Sequence, residues 1–205
     1  MSNVVDLIDQ SAFRGERATG ATNLLQCVWV YNRAIDIDGL RQFHQHLQRG
    51  RLSRRIERSP LPFGRHRWVL PSGQPELEIV ERPRPHEEFD AWLADQANTS
   101  IDAEHGPGWH LAVLPFTDGG AGVSLVASHC LTDGVGLCEA LADAACGYDN
   151  AIDWPAAGSV LGIDGGVGLL VEPGVEFFTR PRPFDDLEVE LIAGCDPAMA
   201  AVGQG

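Results

Sequence analysis

Residues 122–146 read Gly-Val-Ser-Leu-Val-Ala-Ser-His-Cys-Leu-Thr-Asp-Gly-Val-Gly-Leu-Cys-Glu-Ala-Leu-Ala-Asp-Ala-Ala-Cys. The apolar run Val123 to Ala127 reads as a buried strand. A polar break follows at Ser128-His129 and continues to Thr132-Asp133-Gly134. Beyond it the period becomes helical. Leu137, Ala140, Leu141, Ala144 and Ala145 fall at helical spacing and form one apolar stripe. His129 therefore stands where a strand ends and a loop begins, a place where a side chain can be both exposed and rigidly backed. Thr132 or Asp133 can cap the helix, and Gly134 gives the backbone room to turn.

Upstream, the polar residues 1–23 hold Asp9-Gln10-Ser11-Ala12-Phe13. Residues 24–31, Leu-Leu-Gln-Cys-Val-Trp-Val-Tyr, read as a strand with both faces largely apolar. Asp36 to Gly39 opens a helix whose buried side is Leu40, Phe43 and Leu47, with Gly50 as its stop. The basic segment 51–58 carries Arg51, Arg54, Arg55 and Arg58. It reads as a solvated loop or strand edge, with a phosphate-binding site as the sharper alternative. Short strands follow at 65–70 and 77–80, then a helix at 86–97 with Phe89, Trp92, Leu93 and Ala97 on one face. Two apolar runs, 109–116 and 122–128, flank Thr117-Asp118-Gly119-Gly120-Ala121, a hairpin signal whose second strand delivers His129. This alternation predicts an α/β layered lobe, a mixed sheet with helices on one side.

The spacing His129-x-x-x-Asp133-Gly134 resembles the motif of the CoA-dependent acyltransferase superfamily. That superfamily includes peptide-synthetase condensation domains, plant alcohol acyltransferases and bacterial wax ester synthase/diacylglycerol acyltransferases. Many members have two consecutive histidines; here Ser128 takes the first place and His129 keeps the second, the one the resemblance implies as general base. The likeness covers roughly residues 24–147, with Gly106-Pro107-Gly108-Trp109 matching a phrase that leads into a strand. It implies a lobe like the N-terminal half of chloramphenicol acetyltransferase, opened by a short Asp-containing segment. It also implies that Asp133 and Gly134 shape the loop and that an arginine after the first helix, for which Arg55 is the candidate, braces it. The activity implied is transfer of an acyl group from acyl-CoA, as substrate with no bound cofactor, to an alcohol or amine acceptor. The wax ester synthase/diacylglycerol acyltransferase branch comes first and a condensation domain second. Family enzymes are about twice this size, two lobes with the site between them. The expected division is therefore a lobe over 1–150, a linker over 151–186 and the beginning of a second lobe over 187–205.

A base suffices for this chemistry. The acceptor must lose a proton as it attacks the thioester, and imidazole titrates near neutrality. No Gly-x-Ser-x-Gly elbow is present, in keeping with a route that needs no covalent intermediate. Cys130 reads as a buried thiol, because adjacent residues of an extended segment point to opposite sides. His44 and His46, two apart on a helix, do not face together as metal ligands, and His105 and His110 read as exposed. Glycines 162–168 lack the lysine of a phosphate loop and read as linker. The 205 residues are 44% hydrophobic and carry a formal charge of −14, which argues against disorder, nucleic acid and anionic membranes. No apolar stretch has transmembrane length. Five unpatterned cysteines and an N-terminus without signal-peptide features suggest reduced, mostly buried thiols in a cytoplasmic protein. The competing reading is a non-catalytic remnant or binding module of the same fold.

Overall fold

In the computed structural model, which describes residues 3–148 and 150–158, the chain runs through ten helices and strands and one 3₁₀ turn. They are α1 (Leu7–Thr19), β1 (Leu24–Tyr31), α2 (Ile37–Leu47), β2 (Arg55–Glu57), β3 (Arg67–Val69), β4 (Leu77–Ile79), the 3₁₀ turn His86–Glu88, α3 (Phe89–Ala97), β5 (Trp109–Pro115), β6 (Ala121–Ser128) and α4 (Gly134–Cys146). β6 is buried at every residue because it lies inside the sheet, antiparallel to both β1 and β5. β4 joins β5 in parallel, so the order β1-β6-β5-β4 is a mixed sheet, as the alternation predicts. The Asp118-Gly119 hairpin closes with Phe116 N–H donating to Gly120 O at 2.8 Å and Gly119 at φ +94°.

Side chains alternate across this sheet, and each face has its own cover. Leu111, Val113, Val123 and Leu125 share one face with Leu25, Cys27 and Trp29, and pack under Leu40, Phe43 and Leu47 of α2 and Leu137, Leu141 and Ala144 of α4. On the other face Ala112 and Leu114, followed by Phe116, meet Phe89 and Trp92 of α3. Helices therefore cover both sides, not one. The central strands are largely buried on both faces, and each face must be kept from water. β1, at the sheet's edge, is covered on one face only: Gln26, Val28 and Val30 are exposed, where the run of apolar letters suggested burial on both sides.

α1 has no counterpart among the expected helices. Asp6 caps it by accepting from the amides of Ile8 (2.8 Å) and Asp9 (2.9 Å), and Gly20 ends it at φ +71°. Its buried residues are Gln10 and Phe13 alone, while Leu7 and Ile8 are exposed, so no apolar stripe announces it. Gln10 Oε1 accepts from His66 N–H at 2.9 Å, and Phe13 meets the His66 ring edge-on. The arginine-rich segment supplies β2, which pairs with β3 as a separate two-stranded sheet around buried Ile56 and Trp68.

The first residues of the expected linker lie against the lobe. Trp154 is buried, Pro155 O accepts from Leu70 N–H at 2.9 Å, and Gly158 N–H donates to Glu57 at 2.6 Å. The glycines at 162–168, Cys195, the expected strand 187–192 and the second-lobe segment 187–205 lie outside the described residues. Of the four cysteines described, Cys130 alone is buried; Cys27 and Cys138 are half-buried and Cys146 is exposed, fewer buried thiols than expected. Among the described residues no helix is long and apolar enough to cross a membrane.

At Gly122 a β-carbon would come within 2.1 Å of the Phe89 ring, which Trp92 and Phe116 hold in place. Gly122→Ala is expected to destabilise the fold by about 1–3 kcal/mol through overpacking. A lower urea midpoint at unchanged slope is the measurement.

Candidate functional site

β6 ends at Ser128, and the chain turns at once. Ser128 N–H donates to Gly108 O at 2.8 Å, and its own carbonyl accepts from Leu131 N–H at 3.0 Å. The Ser128 hydroxyl oxygen accepts from Cys130 N–H at 3.2 Å, closing a tight loop. His129 is exposed at its apex, and its N–H donates to Asn23 O at 2.9 Å, one pair beyond the β1–β6 ladder. Cys130 points the opposite way and is fully buried. Burial first, then the nearby Glu16 carboxylate, pushes its thiol up to about 12. At neutral pH that sulfur is no nucleophile.

Asp133 begins α4. Its backbone is extended, and its carboxylate accepts from Gly136 N–H at 2.7 Å, the geometry of a helix cap. Gly134 sits in ordinary helical backbone with open space where a β-carbon would be, so backbone room is not what this position demands. The crowded glycines lie elsewhere. A β-carbon at Gly136 would come within 2.5 Å of Thr132 Oγ1, and one at Gly108 within 2.2 Å of Leu131.

The arginine under the loop is Arg54. It is largely buried, donates to Leu131 O, and lies 3.8 Å from the Trp68 ring centroid and 5.4 Å from that of Trp154. Arg55 donates instead to Glu104 O at 3.1 Å, away from the loop. Neighbouring residues entering a strand face opposite ways, so one step in register separates the brace from its expected position. The other arginines of this basic segment also reach protein groups: Arg51 pairs with Glu139 at 3.0 Å and Arg58 with Glu104 at 2.7 Å. That segment is a set of internal ties, which leaves little free charge for a phosphate site.

The other histidines lie apart. His44 is buried against Trp109, and His46 contacts Ala144 O through Nδ1 at 3.0 Å. His105 is exposed, while His110 is half-buried and hydrogen-bonded to Glu78 at 2.9 Å. Among the described residues no group of three or more His, Cys, Asp or Glu could hold a metal. A cavity of about 440 Å³ lies between α2 and α4, and one of about 290 Å³ between the end of α1 and residues 100–103; His129 lines neither.

No protein-family model matches the chain, and no curated protein matches it. Solved structures do. The X-domain from teicoplanin biosynthesis superposes with a TM-score of 0.60 at 13% identity, covering 72% of this chain and 32% of that one. The starter condensation domain of the rhizomide synthetase RzmA gives 0.58 at 14%, covering 72% and 39%. The first condensation domain of the CDA synthetase gives 0.59 at 14%, covering 77% and 42%. The fold is that of a condensation-domain lobe. The chain spans less than half the length of each of these domains.

In this condensation-like lobe α1 supplies an acidic field beneath the loop. Asp9 is raised to about 6, by burial first and then by the adjacent Asp6, with Asp133 adding to the rise and Arg54 opposing it. Asp6 stays below its usual value because the helix amides it caps outweigh its burial. Burial pulls the Arg54 guanidinium down to about 10 against the attraction of Asp9 and Asp6. Sequence reasoning missed this cluster; the Asp6 cap, three residues before Asp9, was the one available signal.

Arg54→Ala leaves the Leu131 carbonyl without its donor and is expected to cost about 2 kcal/mol, read by chemical denaturation. Asp9 carries a pH signature. Folded, it holds its proton to about pH 6, whereas an unperturbed aspartate releases it near 3.8. Between those values the folded state binds more protons, so stability falls as pH rises through the window. Asp9→Asn is expected to raise the Tm at pH 7, with the gain vanishing below pH 4, as followed by circular dichroism.

Proposed function

We propose that this chain supplies the base-bearing lobe of a condensation-type acyltransferase, with His129 as general base. The observation that carries the reading is an exposed imidazole at a strand end whose loop is fixed by Gly108, Asn23, Arg54 and the Asp133 cap. An acceptor amine or hydroxyl attacks the thioester carbonyl while His129 takes its proton. The new C–N or C–O bond forms, the C–S bond breaks, and the thiolate leaves and is reprotonated. Asp133 and Gly134 shape the helix start beside the base, and the Gly134 amide is a candidate donor to the oxyanion. Acyl donor and acceptor are substrates, and no cofactor enters the scheme.

The structural neighbours favour a peptide-synthetase-type condensation over transfer from acyl-CoA to a diacylglycerol or fatty alcohol. At 10–14% identity they support the fold, and the donor and acceptor stay part of the proposal. Because the chain spans under half of each neighbour, the opposite wall of the site is assigned to a second lobe.

The test is thiol release from a small acyl thioester in the presence of amine or alcohol acceptors, with the chain alone and with a condensation-domain C-terminal half added. Acceptor-dependent release should fall by about 10²–10⁴ in His129→Ala. Release with either acceptor that is indifferent to His129 sinks the proposal. The absence of any turnover, with or without the second half, returns the lobe to a binding role.

A further inference from the structure

His129 lies one residue past the end of its strand, where a ladder ordinarily frays. The β1–β6 register closes at Leu24 opposite Ser128, and the next bond, His129 N–H to Asn23 O, has no further strand pair behind it. What lies behind it is α1. Glu16 Oε1 accepts from Asn23 N–H at 2.8 Å, so both backbone groups of Asn23 are bound, one to the helix and one to His129. The helix is turned back to make this possible: Gly20, at φ +71°, donates its N–H to the Glu16 carbonyl at 2.8 Å, and the chain doubles over to enter β1. The end of α1 that carries Glu16 is tied down. The neighbouring Arg17 pairs with Asp102 and, at 3.3 Å, with Glu104. The Glu16 carboxylate also lies close enough to Cys130, the residue after the imidazole, to raise that thiol.

We propose that Glu16 is a positioning residue for His129: its carboxylate fixes Asn23, and Asn23 fixes the main chain from which the imidazole projects. A carboxylate accepting from a backbone N–H makes a stronger bond than a neutral acceptor, which suits a tie that must hold an exposed strand end. Two substitutions divide the roles. Glu16→Ala removes the acceptor; Glu16→Gln keeps an oxygen for Asn23 and removes the charge. The catalytic meaning rests on His129 being the base, but the structural test does not.

The experiment is amide hydrogen exchange by NMR on the full chain, together with the imidazole resonances of His129 followed from pH 5 to 8. In Glu16→Ala the His129 amide is expected to exchange at least about tenfold faster while the amides of Val123 and Leu125 keep their rates. The imidazole resonances should shift. Glu16→Gln, which keeps an acceptor for Asn23 but loses the charge, should fall between Glu16→Ala and the native rate. An unchanged His129 amide in Glu16→Ala overturns the proposal. So does a uniform acceleration across the sheet, which would make Glu16 a contributor to global stability. If the exchange pattern holds while His129→Ala leaves thiol release intact, the positioning stands and the transferase reading falls.

Discussion

The loop that carries His129 is built over a cation taken out of water. A guanidinium drawn out of water costs several kcal/mol unless its charge is met, and Arg54 is met on several sides, although its Nε–H is buried with no hydrogen-bond partner. Trp68 of β3 gives it a π face, Trp154 flanks it, Asp6 and Asp9 of α1 supply negative field, and the Leu131 carbonyl of the loop accepts from it. These groups come from four stretches far apart in the chain. One partly desolvated side chain thus links the start of α1, the small β2–β3 sheet, residues 151–158 and the loop. The same cation also tempers the cost of keeping three carboxylates, those of Asp6, Asp9 and Asp133, within range of one another.

How far this was legible depends on which physical signal each element leaves in the sequence. The strand, break and helix around His129 announce themselves because the hydrophobic period changes within a few residues. The Asp118-Gly119 hairpin and the opposite orientations of His129 and Cys130 follow from turn chemistry and strand alternation. α1 leaves almost no trace, since two buried side chains, one of them the polar Gln10, make no stripe. Arg54 and Arg55 are indistinguishable by composition. Only the point at which β2 begins decides which faces inward, and a three-residue strand gives no period to read. The glycines fail for a similar reason: the sequence shows where the backbone lacks a β-carbon but not what would collide with one. That is why Gly134 looked constrained while Gly136 and Gly108 are.

On the proposed reading, an imidazole at an exposed strand end is half of a site. General-base catalysis between two substrates gains most when both are held together and water is excluded. His129 is exposed and lines neither of the two cavities described above. The structural neighbours run well beyond the region they share with this chain. These two facts point the same way. On the proposed reading the lobe presents the base, and a second surface brought to it would complete the crevice. The rigidity is what makes such a division workable: a base that had to be ordered by its partner would draw on the binding energy of assembly, whereas this one is ordered by its own core.

Ser128 bears on whether that base is competent. It occupies the place where many acyltransferases of the resembling superfamily carry a first histidine, and its loss there invites the view that the site is dead. The geometry gives Ser128 a structural part. Ser128 is 1% exposed, beneath the loop, and its hydroxyl oxygen accepts the Cys130 N–H that closes the turn. A residue so placed meets no substrate directly; what it can contribute is the shape of the loop. A serine hydroxyl makes that local side-chain-to-backbone bond readily, and with a smaller side chain than imidazole. In this chain the serine holds the turn. His129, on which the proposed chemistry depends, stays exposed at the strand end.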